Sequence, residues 1–112
     1  MRHRVSLTHE ARSNLIRTAQ WWSEHRDADQ AWRWLEGFEA AINGLQRHPQ
    51  RQPLSIESDK FDGGLRQLNF GLGGRPTHRA VFRIVGEVVE VIAIRHLAQQ
   101  ELSPDDFPTS AS

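Results

Sequence analysis

The stretch from His78 to His96 holds two runs rich in β-branched residues on either side of Gly86-Glu87. Gly at the first of two central loop positions suits a type II′ turn, whose twist matches that of the strands it joins, so the stretch is a β-hairpin. A two-residue loop fixes the pairing. Val85 faces Val88, Ile84 faces Val89, Arg83 faces Glu90, Phe82 faces Val91, Val81 faces Ile92, Ala80 faces Ala93 and Arg79 faces Ile94. Strand side chains alternate between faces. Ala80, Phe82, Ile84, Val89, Val91 and Ala93 therefore form a wholly apolar face, which a sheet has where helices cover it. The other face carries Arg79, Val81, Arg83, Val85, Val88, Glu90, Ile92, Ile94 and, where the strand continues, His96. Arg83 opposite Glu90 predicts a cross-strand ion pair. Arg79 and His96 are left as diagonal neighbours, about 7–8 Å apart, on a face expected to stay open.

The helices that would cover the apolar face lie upstream. His3 to Leu7 reads as a short strand, and Thr8 as an N-cap whose hydroxyl accepts from a first-turn amide. Ala11, Leu15, Thr18, Ala19 and Trp22 follow helical spacing to about Arg26. Asp27 or Asp29 caps a second helix, where Ala31, Leu35, Phe38, Ile42 and Leu45 keep a three-four spacing to His48 before Pro49. An αα-hairpin with such a stripe needs a sheet to pack on. Gln50 to Gly64 lacks periodicity and reads as an irregular connection, long enough to have a function of its own. Leu65 to Phe70 reads as a strand, and Gly71 to Pro76 as a loop into the hairpin. The fold class predicted is α+β, with an N-terminal strand and an αα-hairpin packed on one face of a mostly antiparallel sheet of about four strands. One domain spans 1–112, with 107–112 as a frayed tail.

Composition narrows the chemistry. The chain has 112 residues and no Cys, which excludes disulfides, thiolate metal sites and cysteine nucleophiles. His3, His9, His25, His48 and His78 show no metal-ligand spacing, so no metal and no cofactor is expected. Formal charge is zero at pH 7, which argues against a protein that grips long nucleic acid by general attraction. Lys60 is the only lysine, and all other basic side chains are Arg, suited to bidentate contact with carboxylate or phosphate. No apolar run approaches the roughly 18 residues that span a bilayer, and no leader pattern opens the chain. A cytoplasmic protein without a membrane partner is expected.

In this order, Arg66 with Leu68, the run His78 to Ile84, the strand Val88 to Ile94, the ending Ile94-Arg95-His96, and the opening pattern Val5 to Trp22 resemble the RelE/ParE superfamily. These are the toxins of type II toxin–antitoxin, or plasmid stabilisation, systems. The resemblance covers roughly Arg4 to Phe107. It implies a growth-inhibiting toxin neutralised by a small, adjacently encoded antitoxin, in a heterotetramer or a higher assembly. It also implies one of two targets. ParE-type members poison DNA gyrase, whereas RelE-type members cleave ribosome-bound mRNA without a metal.

Metal-free RNA cleavage needs a base for the 2′-hydroxyl, an acid for the leaving oxygen and cations for the developing charge. By the resemblance, Arg66, Arg79 and His96 stand where nuclease relatives carry these groups. The chain has no Tyr, however, and Leu97 to Gln100 replaces a basic cluster common in those relatives. A gyrase-directed toxin needs instead a protein-binding surface, for which Trp21, Trp32, Arg83, Ile92, Ile94 and Phe107 are the candidates. The third reading is a degenerate, non-toxic binding module.

Overall fold

The computed structural model describes residues 2–98, so Phe107 and the rest of the C-terminal segment lie outside the described residues. In chain order the elements are β1 (Arg4–Leu7), α1 (His9–His25), α2 (Ala28–Asn43), β2 (Arg66–Phe70), β3 (His78–Val85) and β4 (Val88–His96). The four strands make one mixed sheet in the order β1-β4-β3-β2, in which only β1 and β4 run parallel. The α+β arrangement is the one expected.

Both helices begin where side chains satisfy the first amides. The Thr8 hydroxyl accepts from the Ala11 amide at 3.1 Å, and the Asp27 carboxylate accepts from the Gln30 amide at 2.7 Å. Asp27 is thus the cap of α2. Asp29 sits in its first turn, ion-paired to Arg33. The helix ends at Asn43 rather than His48, and a short 3-10 turn over Gly44–Gln46 carries Leu45 into the core. Gly37 is needed inside α2 because a Cβ there would come within 2.8 Å of the Phe70 ring, which itself stacks on Phe38.

The αα-hairpin covers one sheet face. Ala11, Leu15, Trp34, Phe38 and Ile42 pack there with Ala80, Phe82, Val89 and Val91. Trp34 and Phe38 are fully buried, each contributing about 1.5–3 kcal/mol through burial. Beyond Leu7, where β1 stops opposite Val91, α1 takes over the hydrogen bonding of β4. The Thr8 hydroxyl donates to the Ile92 carbonyl at 3.3 Å, and the Asn14 side-chain carbonyl accepts from the Ile94 amide at 3.1 Å.

The hairpin follows the expected register from its turn to Phe82 opposite Val91 and then departs from it. Gly86 has φ of 61°, and Glu87 is not among the positive-φ residues, as a type II′ turn requires. A bulge follows, leaving Ile92 unpaired, so that Val81 faces Ala93, Ala80 faces Ile94, Arg79 faces Arg95 and His78 faces His96. One extra residue flips every later side chain to the opposite face. Ile94 therefore enters the helix-side core and Ala93 leaves it, the reverse of the expectation. Arg79 and His96 do not share a face.

Nor is the second face open. The segment between α2 and β2 folds back beneath it, with the Ser55 amide bonding Leu65 and the Gln67 amide bonding Pro53 along the outer edge of β2. A second apolar cluster of Leu65, Val81 and Ala93, with Phe61 and Ile92 packed against it, forms under this cover.

Candidate functional site

The back-folded segment determines what Arg79 can do. It carries Glu57, whose side chain is fully buried, and Arg79 meets it with both terminal nitrogens, Nη2 to Oε2 at 2.5 Å and Nη1 to Oε1 at 2.7 Å. Nη1 also donates to the Gln67 side-chain carbonyl at 3.3 Å. With 2% of its surface accessible, this guanidinium is a structural clamp between strand and connection. Two buried charges are tolerable there because the geometry is bidentate and further donors are used.

Arg66 is likewise engaged, donating from Nη1 to the Gln52 carbonyl at 2.7 Å. In the β2–β3 register it lies opposite Phe82 and so shares a face with that residue, not with Arg79. His96 sits across the hairpin from His78 with ring centroids 5.0 Å apart, on the helix side. The three residues singled out for RNA chemistry are thus distributed over different surroundings.

Among the candidates for partner contact, Trp21 and Trp32 are exposed, at 48% and 59%. Arg83 binds Glu90 through Nε at 2.6 Å, as the register requires. Ile92 is half-buried at the bulge, and Ile94 is buried in the core, which removes it from any surface.

Where α1 passes the open end of the hairpin, the structure forms a cleft of about 650 Å³. One wall is the face of α1 that presents Asn14, Arg17 and Trp21, residues three to four apart, with Arg26 just past the end of the helix. The other is the end of β3 and β4, with Thr77, His78, Arg95 and His96. Among the described residues no carboxylate lines it. His78 is buried against the edge of Trp34, with ring centroids 5.1 Å apart, and its Nδ1 lies 2.8 Å from the Thr77 hydroxyl. Burial, and next to it the neighbouring His96, push its pKa down from 6.5 to about 4. At neutral pH His78 is uncharged, and arginines bring positive charge to the cleft.

Sequence reasoning missed this cleft, although the three-four spacing of Asn14, Arg17 and Trp21 on α1 was there to be read. The pairing of Glu57 with Arg79 had no local signal, because it depends on the path of an aperiodic segment. Among the described residues no cluster of His and acidic side chains suits a metal ion, and no helix is long and apolar enough to cross a membrane.

Comparison with known proteins assigns the chain. A search of curated proteins gives no significant match. Among solved structures, a chain of the chromosomal ParDE toxin–antitoxin system from P. aeruginosa superposes with a TM-score of 0.69 at 17% identity, covering 84% of this chain and 95% of that one. A chain of the toxin–antitoxin complex RelBE2 from Mycobacterium tuberculosis does so with a TM-score of 0.58 at 22% identity, covering 86% and 99%. These likenesses concern the fold. The profile described as ParE toxin of type II toxin-antitoxin system, parDE, matches residues 5–101, and over that span, which takes in both helices and nearly all of the sheet, the chain belongs to the ParE toxin family.

Proposed function

We propose that this toxin inhibits growth by binding a protein target, DNA gyrase, and is neutralised by a cognate antitoxin in a toxin–antitoxin assembly. The observation that carries the choice of target is the burial of Arg79 in its bidentate pair with Glu57. A cation committed to a buried carboxylate is not available to a phosphorane. Arg66 is spent on a backbone carbonyl, and His96 stands on the other side of the sheet from Arg79. The solved toxin–antitoxin systems with this fold support an antitoxin partner. Exposed Trp21 and Trp32 are the aromatic anchors we assign to partner contact.

The experiment has two arms. Expression of the chain should arrest growth, with relief by the adjacently encoded antitoxin, and the purified chain should block gyrase supercoiling. Unchanged supercoiling, together with codon-resolved cleavage of ribosome-bound mRNA that His96→Ala abolishes, would overturn the proposal in favour of an mRNA interferase. Harmless expression would favour the degenerate binding module. Arg79→Ala is unsuited to deciding between these, since it removes a buried structural pair.

A further inference from the structure

We propose that the cleft between α1 and the open end of the β3–β4 hairpin is a binding site for a nucleoside phosphate. This goes beyond the toxin reading and stands without it. Arg17 on α1 and Arg26 just past its end line the cleft, and among the described residues neither forms an ion pair. Cations that have no internal partner, around a concavity that no carboxylate of the described residues lines, select an anion. Guanidinium groups suit the planar, bidentate pattern of phosphate oxygens.

The second requirement on the ligand comes from Trp21. Its indole also lines the cleft, is 48% exposed, and stacks on His25 with centroids 4.5 Å apart and planes 12° from parallel. His25 in turn is anchored by its Nδ1 at 3.0 Å from the Trp21 carbonyl. The ring is thus held in place by its own helix, with Trp22 set at right angles to it at 5.8 Å, while about half of its surface stays exposed. A fixed indole face beside arginines takes a flat π-system joined to an anion, which is what a nucleobase with its phosphates provides. At the opposite wall the half-buried Thr77 hydroxyl, 2.8 Å from Nδ1 of the buried His78, offers a neutral hydrogen-bonding oxygen to sugar or base. A cleft of about 650 Å³ is of the size that small ligands fill, whereas a stable peptide or protein contact needs a far wider surface.

The test is isothermal titration calorimetry of the full chain with ATP, inorganic tripolyphosphate and adenosine, alongside nuclear magnetic resonance of the indole N–H groups. ATP should bind about tenfold tighter than either tripolyphosphate or adenosine and should shift the Trp21 indole signal. Arg17→Glu combined with Arg26→Glu should weaken ATP about tenfold or more. Trp21→Ala should bring ATP down to the affinity of tripolyphosphate. All three positions are exposed, so the variants should keep the melting temperature of the parent. Tripolyphosphate binding as tightly as ATP would overturn the proposal, leaving a bare anion patch. So would ATP binding that both the charge reversal and Trp21→Ala leave unchanged. Binding of a Glu-Tyr peptide to the cleft in the absence of any ATP binding would overturn it in favour of a protein ligand.

Discussion

Strand β3 treats its two ends in opposite ways. At its start His78 and Arg79 are 5% and 2% exposed, whereas near the turn the side chain of Arg83 is 52% exposed. Each end carries an arginine paired with a glutamate, and the two separations, 2.5 Å for Arg79–Glu57 and 2.6 Å for Arg83–Glu90, are nearly the same. Distance therefore says little about what either pair does. In water the turn-end pair exchanges one well-solvated state for another. Under the back-folded segment, removal of either partner takes the bidentate contact from a buried charge that water does not reach.

The contrast is tested most severely by Arg79→Ala. It should cost about 3–5 kcal/mol, because the buried Glu57 carboxylate loses its bidentate guanidinium, a large part of the roughly 5–15 kcal/mol that holds a domain of this size. Urea denaturation would measure it. Joint replacement by apolar residues, Arg79→Met with Glu57→Leu, should recover much of the loss. A loss for Arg79→Ala no larger than that for Arg83→Ala would break the contrast.

The second test uses the neighbouring buried group and needs no deletion of a charge. Folded His78 takes up its proton only near pH 4, while the unfolded chain takes it up near 6.5. Between these values the unfolded state binds more protons, so stability falls as pH falls through the window and this contribution levels off below about pH 4. The most that His78 can contribute in this way is about 3 kcal/mol, since each tenfold difference in proton affinity between the two states is worth about 1.4 kcal/mol. His78→Gln should flatten the fall seen in denaturation curves between pH 6.5 and 4. An unaltered pH profile in that variant would show that burial of the His78 ring does not hold it uncharged in the folded chain.

The same contrast explains what is legible in the sequence. Helix caps, core stripes and the turn half of the hairpin are set by neighbours along the chain. Thr8, Asp27, Gly86 and the pairing of Arg83 with Glu90 can accordingly be read from it. The other half of the hairpin cannot, because nothing in Ile92-Ala93-Ile94 marks the bulge: all three are apolar and fit either face. Asn14, eighty residues away, meets the Ile94 amide there. The expectation of an RNA-cleaving face rests on Arg79 and His96 sharing a side. This single register shift undoes it, together with Glu57, which arrives from a segment without periodicity.

Between the two ion pairs in size lies a local cap that serves as a ruler. Asp27→Ala removes the bond from its carboxylate to the Gln30 amide and should cost about 1 kcal/mol. It involves no buried charge, so urea curves for it, for Arg79→Ala and for Arg83→Ala should fall in the order local cap in the middle, buried pair above, exposed pair below.

The smallest effect is the most specific. Arg83→Ala, Glu90→Ala and the double variant form a cycle whose coupling energy should be about 0.2–1 kcal/mol. The Glu90 side chain is 29% exposed and that of Arg83 52%, so salt should reach this pair. The Debye length shrinks from about 10 Å at 0.1 M to about 3 Å at 1 M. The coupling should therefore fade as sodium chloride is raised, while the cost of Arg79→Ala stays nearly constant, because no counter-ion reaches Glu57. Equal salt sensitivity at both ends of β3 would mean that water enters beneath the back-folded segment. Glu57 would then hold Arg79 as loosely as Glu90 holds Arg83, and Arg79 would no longer be withdrawn from chemistry.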